Sequence, residues 1–269
     1  MNEGYIDVID GVLFYKSYGV GEPIVFIHGN FNDHQIWEEQ ISAFSANNHV
    51  ISYDLRGYGL SSTPRSLFSN VEDLKLLIDT LGLEKVNLVG SSMGGSVAID
   101  FTLAYPGRVN RIILAAPSIS GRNYPVSMLW QGIKQHFQVR LRGHERAIET
   151  FINNPFWQYY FPASKKEQAL QKTVANVRKP VNFCRFYPGL SRGSNLYAIN
   201  RLEKLYQPVL ILIGELDHPF NRETSNILQT KLNKSTIIVM QNCGHLPFIE
   251  EPEIFNFNLT EFLTTGTTA

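Results

Sequence analysis

Short continuous apolar runs, rich in Val and Ile, recur at residues 12–15, 24–27, 50–53, 86–89, 112–115, 209–213 and 237–240. Most do not alternate with polar residues, which suits strands covered on both faces, as in a largely parallel sheet. Helical periodicity fills the gaps between them. Ser69-Asn70-Val71-Glu72 has the form of a capping box, and Val71, Leu74, Leu77, Ile78 and Leu81 then repeat at helical spacing until Gly82. Residues 96–105 read as a helix closed by Pro106, and 227–232 and 254–262 as two more. Strand alternating with helix predicts the α/β class, with a mostly parallel central sheet flanked by helices.

The alternation stops between residues 118 and 200, a stretch of 83 residues that holds 13 aromatics. Helical spacing returns there only in pieces, at 147–151 and 169–177. Strand-like runs resume at Val209. The segment is therefore read as a helical insertion (118–200) into a single core domain made of 1–117 and 201–269.

Composition fits this picture: 43% of residues are apolar and 18% charged, as in ordinary globular chains. The 24 Lys and Arg balance 24 Asp and Glu. Zero net charge argues against a protein that grips nucleic acid or an anionic membrane, since each needs a basic surface. The longest apolar runs fall far short of the ~20 residues of a membrane span. Residues 1–7 lack the basic and apolar blocks of a signal peptide. Of the two cysteines, Cys184 and Cys243, neither sits in a CxxC. The expectation is a soluble, cytoplasmic, reduced protein that acts on a small molecule, with no nucleic-acid or membrane partner.

Chemistry is concentrated where predicted strands end. The run 86–89 leads into Gly90-Ser91-Ser92-Met93-Gly94 and then a helix, the strand–GxSxG–helix context of a nucleophile elbow. Glycine is needed two residues either side of Ser92 because the turn is tight, and the following helix N-terminus favours negative charge. A serine hydroxyl is a weak nucleophile and needs a base, which in turn needs an orienting acid. Run 209–213 ends at Gly214-Glu215-Leu216-Asp217, offering Asp217 as the acid with Glu215 as the alternative. Run 237–240 leads to His245, the candidate general base. The amide of Met93, the residue after the nucleophile, is the first candidate oxyanion donor. No HExxH, Cys/His cluster or GxxxxGK[ST] occurs, and Gly57-Tyr58-Gly59 lacks the third glycine of a dinucleotide fingerprint. No cofactor and no metal are expected.

These motifs resemble the α/β-hydrolase superfamily across essentially the whole chain, in its serine-nucleophile, cap-containing esterase or lactonase-like branch. His28-Gly29-Asn30 resembles its HGx oxyanion loop, Asp54–Ser61 its DxRGxGxS segment, and Gly244-His245-Leu246-Pro247-Phe248 the surroundings of its catalytic histidine. The resemblance implies Asn30 as second oxyanion donor, with Phe31 as the alternative and a pocket residue, and a structural role for His28. It also implies that 118–200 forms a helical cap over the nucleophile, whose aromatics, with Trp130, Phe137 and Phe156 as candidates, contribute to an apolar pocket. Arg140, Arg142 and Lys165-Lys166 are read as solvated helix faces, and Arg56 as a buried ionic tie. The segment from His28 to Trp37 also resembles haloalkane dehalogenases, but those enzymes, like epoxide hydrolases of this fold, carry Asp where Ser92 stands.

The expected activity is that of a cofactor-independent serine hydrolase cleaving a small, mostly apolar carboxylic ester, thioester or lactone through an acyl-enzyme. The same three residues also serve carbon–carbon bond hydrolases or lyases, cofactor-free perhydrolases or haloperoxidases, and hydrolase-fold ligand receptors. Met93 and Ser91 supply no arginine of the kind that carbon–carbon branches often place beside the nucleophile.

Overall fold

The structure, a computed structural model, describes residues 1–162, 166–183, 188–191 and 197–265. Cys184 and Lys165 lie outside the described residues. Strands β1 (Asn2–Val8), β2 (Gly11–Tyr18), β3 (Glu22–Ile27), β4 (Asn48–Tyr53), β5 (Val86–Ser91), β6 (Val109–Ala115), β7 (Val209–Gly214) and β8 (Ser235–Met240) form one sheet in the order β1-β2-β4-β3-β5-β6-β7-β8. The β1–β2 and β2–β4 pairs are antiparallel, and every pair from β4 to β8 is parallel.

The helices are α1 (Glu38–Phe44), α2 (Asn70–Thr80), α3 (Met93–Ala104), α4 (Val126–Ile152), α5 (Glu167–Val177), α6 (Pro219–Lys231), α7 (Pro247–Glu250) and α8 (Pro252–Thr264). Every residue of β5 and β7 is buried, as continuous apolar runs require. Alternate strand residues serve opposite faces. Val25, Ile27 and Leu88 join one core with Leu74 and Leu77 of α2 and Phe101 of α3, while Ile24, Phe26 and Val89 join another with Phe44 of α1 and Phe255 of α8.

Several elements went unpredicted, among them β1, α1, α7 and the first part of α4. Strand β1 is a sheet edge that buries only Ile6, so it carries no apolar run. Up to Gly143, helix α4 leaves most of its apolar residues exposed, so its periodicity there does not mark a core face, whereas Ala147, Ile148 and Phe151 beyond are buried. It breaks at Gly143 (φ 79°), in the left-handed region that favours glycine.

Strands β6 and β7 are direct neighbours, so the chain between them leaves the sheet and returns beside its point of departure. It passes over the C-terminal ends of the parallel strands and is tied there by a buried polar knot. Asp33 Oδ2, on the loop after β3, accepts from Lys179 Nζ (2.8 Å) and Asn182 Nδ2 (3.0 Å). Burial by itself would raise the Asp33 carboxyl, but those hydrogen bonds and the Lys179 charge outweigh it and hold it below the usual range.

Asp100, buried on α3, accepts from Ser120 Oγ at 2.7 Å. Burial pushes its pKa from 3.8 up to about 6, against the Ser120 bond and Arg201. The folded state thus binds this proton more tightly than the unfolded chain. The group is harmless below about pH 4 and costs stability increasingly as pH rises through about 6. Asp100→Asn should stabilise the protein at pH 8 by on the order of 1–3 kcal/mol, the gain vanishing below pH 4. Urea midpoints across that range test this; a pH-independent difference would contradict it.

Candidate active site

Ser92 sits between β5 and α3 at φ 50°, ψ −113°, a strained conformation for a residue with a Cβ. The turn is held through its carbonyl, which accepts from Gly95 N (3.0 Å), Ser118 N (3.0 Å) and Ser118 Oγ (3.1 Å). The flanking glycines are required by close approach. A Cβ on Gly90 would stand 2.5 Å from the Gly94 carbonyl oxygen, and one on Gly94 would stand 2.2 Å from that of Ile27. The second contact is across the sheet: Gly94 lets α3 start against the end of β3, where the His28-Gly29-Asn30 loop begins.

That loop is fixed from three sides. The Leu55 N–H donates to His28 Nε2 (3.0 Å), so His28 carries its proton on Nδ1 and donates to the Gly29 carbonyl (2.8 Å). Complete burial lowers the His28 pKa and keeps the ring neutral, against the pull of Asp54. Tyr58 OH donates to Asn30 Oδ1 (2.7 Å), and Tyr160 OH donates to the Asn30 carbonyl (3.1 Å). With both oxygens engaged, the loop's position beside Ser92 is set by groups far apart in sequence. Met93 is the first residue of α3, where a backbone N–H has no intrahelical acceptor.

The side chains expected as acid and base stand side by side. His245 Nδ1 lies 2.9 Å from Asp217 Oδ2, both side chains being buried. Asp217 Oδ1 is separately occupied, accepting from His218 N (2.6 Å) and Asn221 Nδ2 (2.8 Å). Glu215 turns away, its Oε2 accepting from Asn242 N (3.1 Å). The His245 N–H donates to the Tyr159 carbonyl (3.0 Å), and a Cβ on Gly244 would stand 2.6 Å from that same oxygen. Among the described residues no hydrogen bond joins Ser92 Oγ to His245. Both residues line the same cavity, and such bonds are often long before substrate binds.

The cavity holds about 690 Å³, and its described wall is mostly aromatic and aliphatic. Asn30, Phe31 and Phe137 line it. Two residues expected at the pocket do not. Trp130 is 64% exposed, on the outward side of α4, and the Phe156 ring packs on Trp157 and His218. Both depart from expectation because aromatic density does not say where along a helix or turn the cavity opens: Trp130 shares a face of α4 with Phe137 yet lies outside the wall. Arg56 pairs with Asp73 through two hydrogen bonds, of 2.7 and 2.6 Å, as the ionic tie expected of it.

Sequence reading missed Ser118, Tyr58, Tyr160 and Asn221. Asn221 had a usable signal, standing four residues after Asp217 and so one turn into the helix that follows. Tyr58 lies inside a recognised motif. Tyr160, 130 residues from the loop it holds, had none. Asn221→Ala should lower kcat about tenfold at nearly unchanged KM, because Oδ1 loses a donor that keeps Oδ2 aimed at His245. Steady-state kinetics test this, and an equal loss in both parameters would contradict a positioning role.

The α/β hydrolase fold family model matches residues 22–252. Over its full length the chain is similar to a 2-hydroxy-6-oxononadienedioate/2-hydroxy-6-oxononatrienedioate hydrolase of Paraburkholderia phymatum, at 28% identity covering 96% of this chain and 94% of that one. It is also similar to the pimeloyl-[acyl-carrier protein] methyl ester esterase of Vibrio campbellii, at 26% identity with 93% and 98% covered. Among solved structures, Est816, described as an N-acyl homoserine lactone degrading enzyme, superposes with a TM-score of 0.78 at 25% identity, covering 96% and 100%. Such matches span chemistries that one fold carries by varying the pocket. Among the described residues no helix is long and apolar enough to cross a membrane. The chain belongs to the α/β-hydrolase fold family and is an enzyme of it.

Proposed function

We propose that the protein is a cofactor-independent serine hydrolase of small, mostly apolar carboxylic esters, thioesters or lactones. The observation that carries this reading is the buried His245–Asp217 pair, at 2.9 Å, facing a strained Ser92 across one largely apolar cavity. Ser92 Oγ attacks the acyl carbon while His245 Nε2 takes its proton, and Asp217 holds the imidazole with its proton on Nδ1. The Asn30 and Met93 amides stabilise the oxyanion. His245 then protonates the leaving oxygen or sulfur and activates the water that releases the acid. Residues 118–200 act as the cap, with α4 and the turn at Tyr159 and Tyr160 roofing the site. Phe31 and Phe137 receive the apolar part of the substrate, since a wall of rings repays burial of acyl methylenes.

The methyl ester and lactone substrates named for two of the relatives support an acyl-transfer reading. The test is a series of p-nitrophenyl esters of graded chain length, together with mass-spectrometric mapping of a fluorophosphonate adduct. Saturable hydrolysis with the adduct on Ser92 is expected. An inert protein that the probe ignores would overturn the proposal.

A further inference from the structure

The first part of helix α4, up to its break at Gly143, is amphipathic the wrong way round. From Val126 to Arg142 its outward face carries Val126, Leu129, Trp130, Ile133, Phe137 and Leu141, each between 49 and 82% exposed. At helical spacing these fall within an arc of about 120°, an apolar stripe interrupted only by Arg140. The side packed on the protein holds Met128 and Gln135 instead. Scattered exposed apolar residues need no explanation, but six on one face of a single helix do.

The charge around the stripe says what it meets. Residues 126–144 contain Lys134, Arg140 and Arg142 and no Asp or Glu. The chain's zero net charge therefore hides an uneven distribution, with three basic charges here and three acidic charges in excess elsewhere. Lys134 and Arg140 are exposed; at helical spacing Lys134 borders one edge of the stripe beside Leu141, and Arg140 falls just inside the other, between Leu129 and Ile133. A second copy would bring basic charges against basic charges across the contact, which disfavours self-association. An apolar stripe with a tryptophan and basic margins matches a bilayer with anionic headgroups, entered to headgroup depth.

We propose that the stripe docks the enzyme on an anionic phospholipid surface. Leu129, Ile133 and Phe137 belong both to the stripe and to the cavity wall, so docking sets the cavity mouth at the lipid boundary. An apolar substrate dissolved in the bilayer then reaches the pocket without crossing water. The docking itself does not depend on which residue is the nucleophile.

The test is sedimentation of the intact protein with vesicles of phosphatidylcholine alone and of phosphatidylcholine with phosphatidylglycerol, at low and high salt. Tryptophan emission is read in parallel. Binding confined to the anionic vesicles, weakened by salt and accompanied by a blue shift absent in Trp130→Phe, is expected. Val126→Ser/Leu141→Ser, at positions outside the cavity wall, should bind about tenfold more weakly while hydrolysing a short soluble ester like the parent. Lys134→Glu/Arg140→Glu should abolish anionic selectivity. If the parent ignores both vesicle types at low salt, the proposal falls whatever the variants do. It falls equally if the chain is a dimer that Val126→Ser/Leu141→Ser converts to monomer, because the stripe is then covered by a second copy.

Discussion

Ser92→Ala is expected to lower ester turnover by ~10⁶ and to abolish fluorophosphonate labelling, while unfolding of the protein stays within experimental error of the parent. The size follows from the arrangement: without Oγ there is no acyl-enzyme, and the residual rate is what bound water achieves beside the oxyanion donors. Stability is spared because the bonds holding the turn run through the Ser92 backbone. Its carbonyl still accepts from Gly95 and Ser118, and its N–H still donates to Ala115 at 2.9 Å. Alanine at φ 50° carries the same Cβ strain as serine. Probe labelling that survives the substitution would remove Ser92 from the mechanism.

Asp217→Asn should lower kcat by ~10⁴, following the template in which the acid sets the imidazole tautomer. The substitution can present an amide N–H to His245 Nδ1, which then accepts instead of donating. The proton moves to Nε2, where the base must be free to take the one from Ser92. Glu215→Gln should be close to neutral, since that carboxylate serves Asn242 and not His245. The crossed result, a harmless Asp217→Asn with a crippling Glu215→Gln, would reassign the acid.

The contrast between Glu215 and Tyr160 explains what could be read early. Two carboxylates at one strand end stand two positions apart, and spacing alone leaves both in play. The turn geometry decides, because the Glu215 N–H pairs with the Met240 carbonyl and its side chain follows the 242 loop. Tyr160 reaches the Asn30 carbonyl only because the chain between β6 and β7 folds back over the sheet. Trp130 and Phe156 depart from expectation for a related reason: a ring's neighbours depend on packing angles between helices, which no one-dimensional pattern encodes.

The primary structure by itself determined the sheet and the tight turn at Ser92. Continuous Val and Ile runs force strands buried on both faces, and glycines at 90 and 94 are demanded by backbone contacts under 3 Å. It also brought Ser92, Asp217 and His245 to strand ends on one edge of that sheet, since parallel strands all end on the same side. Only tertiary structure decided which groups hold the Asn30 loop, which rings reach the cavity, and that the first part of α4 leaves its apolar side exposed. Those outcomes rest on contacts between residues up to 130 positions apart, and their sign is set by how the connection between β6 and β7 sits on the sheet.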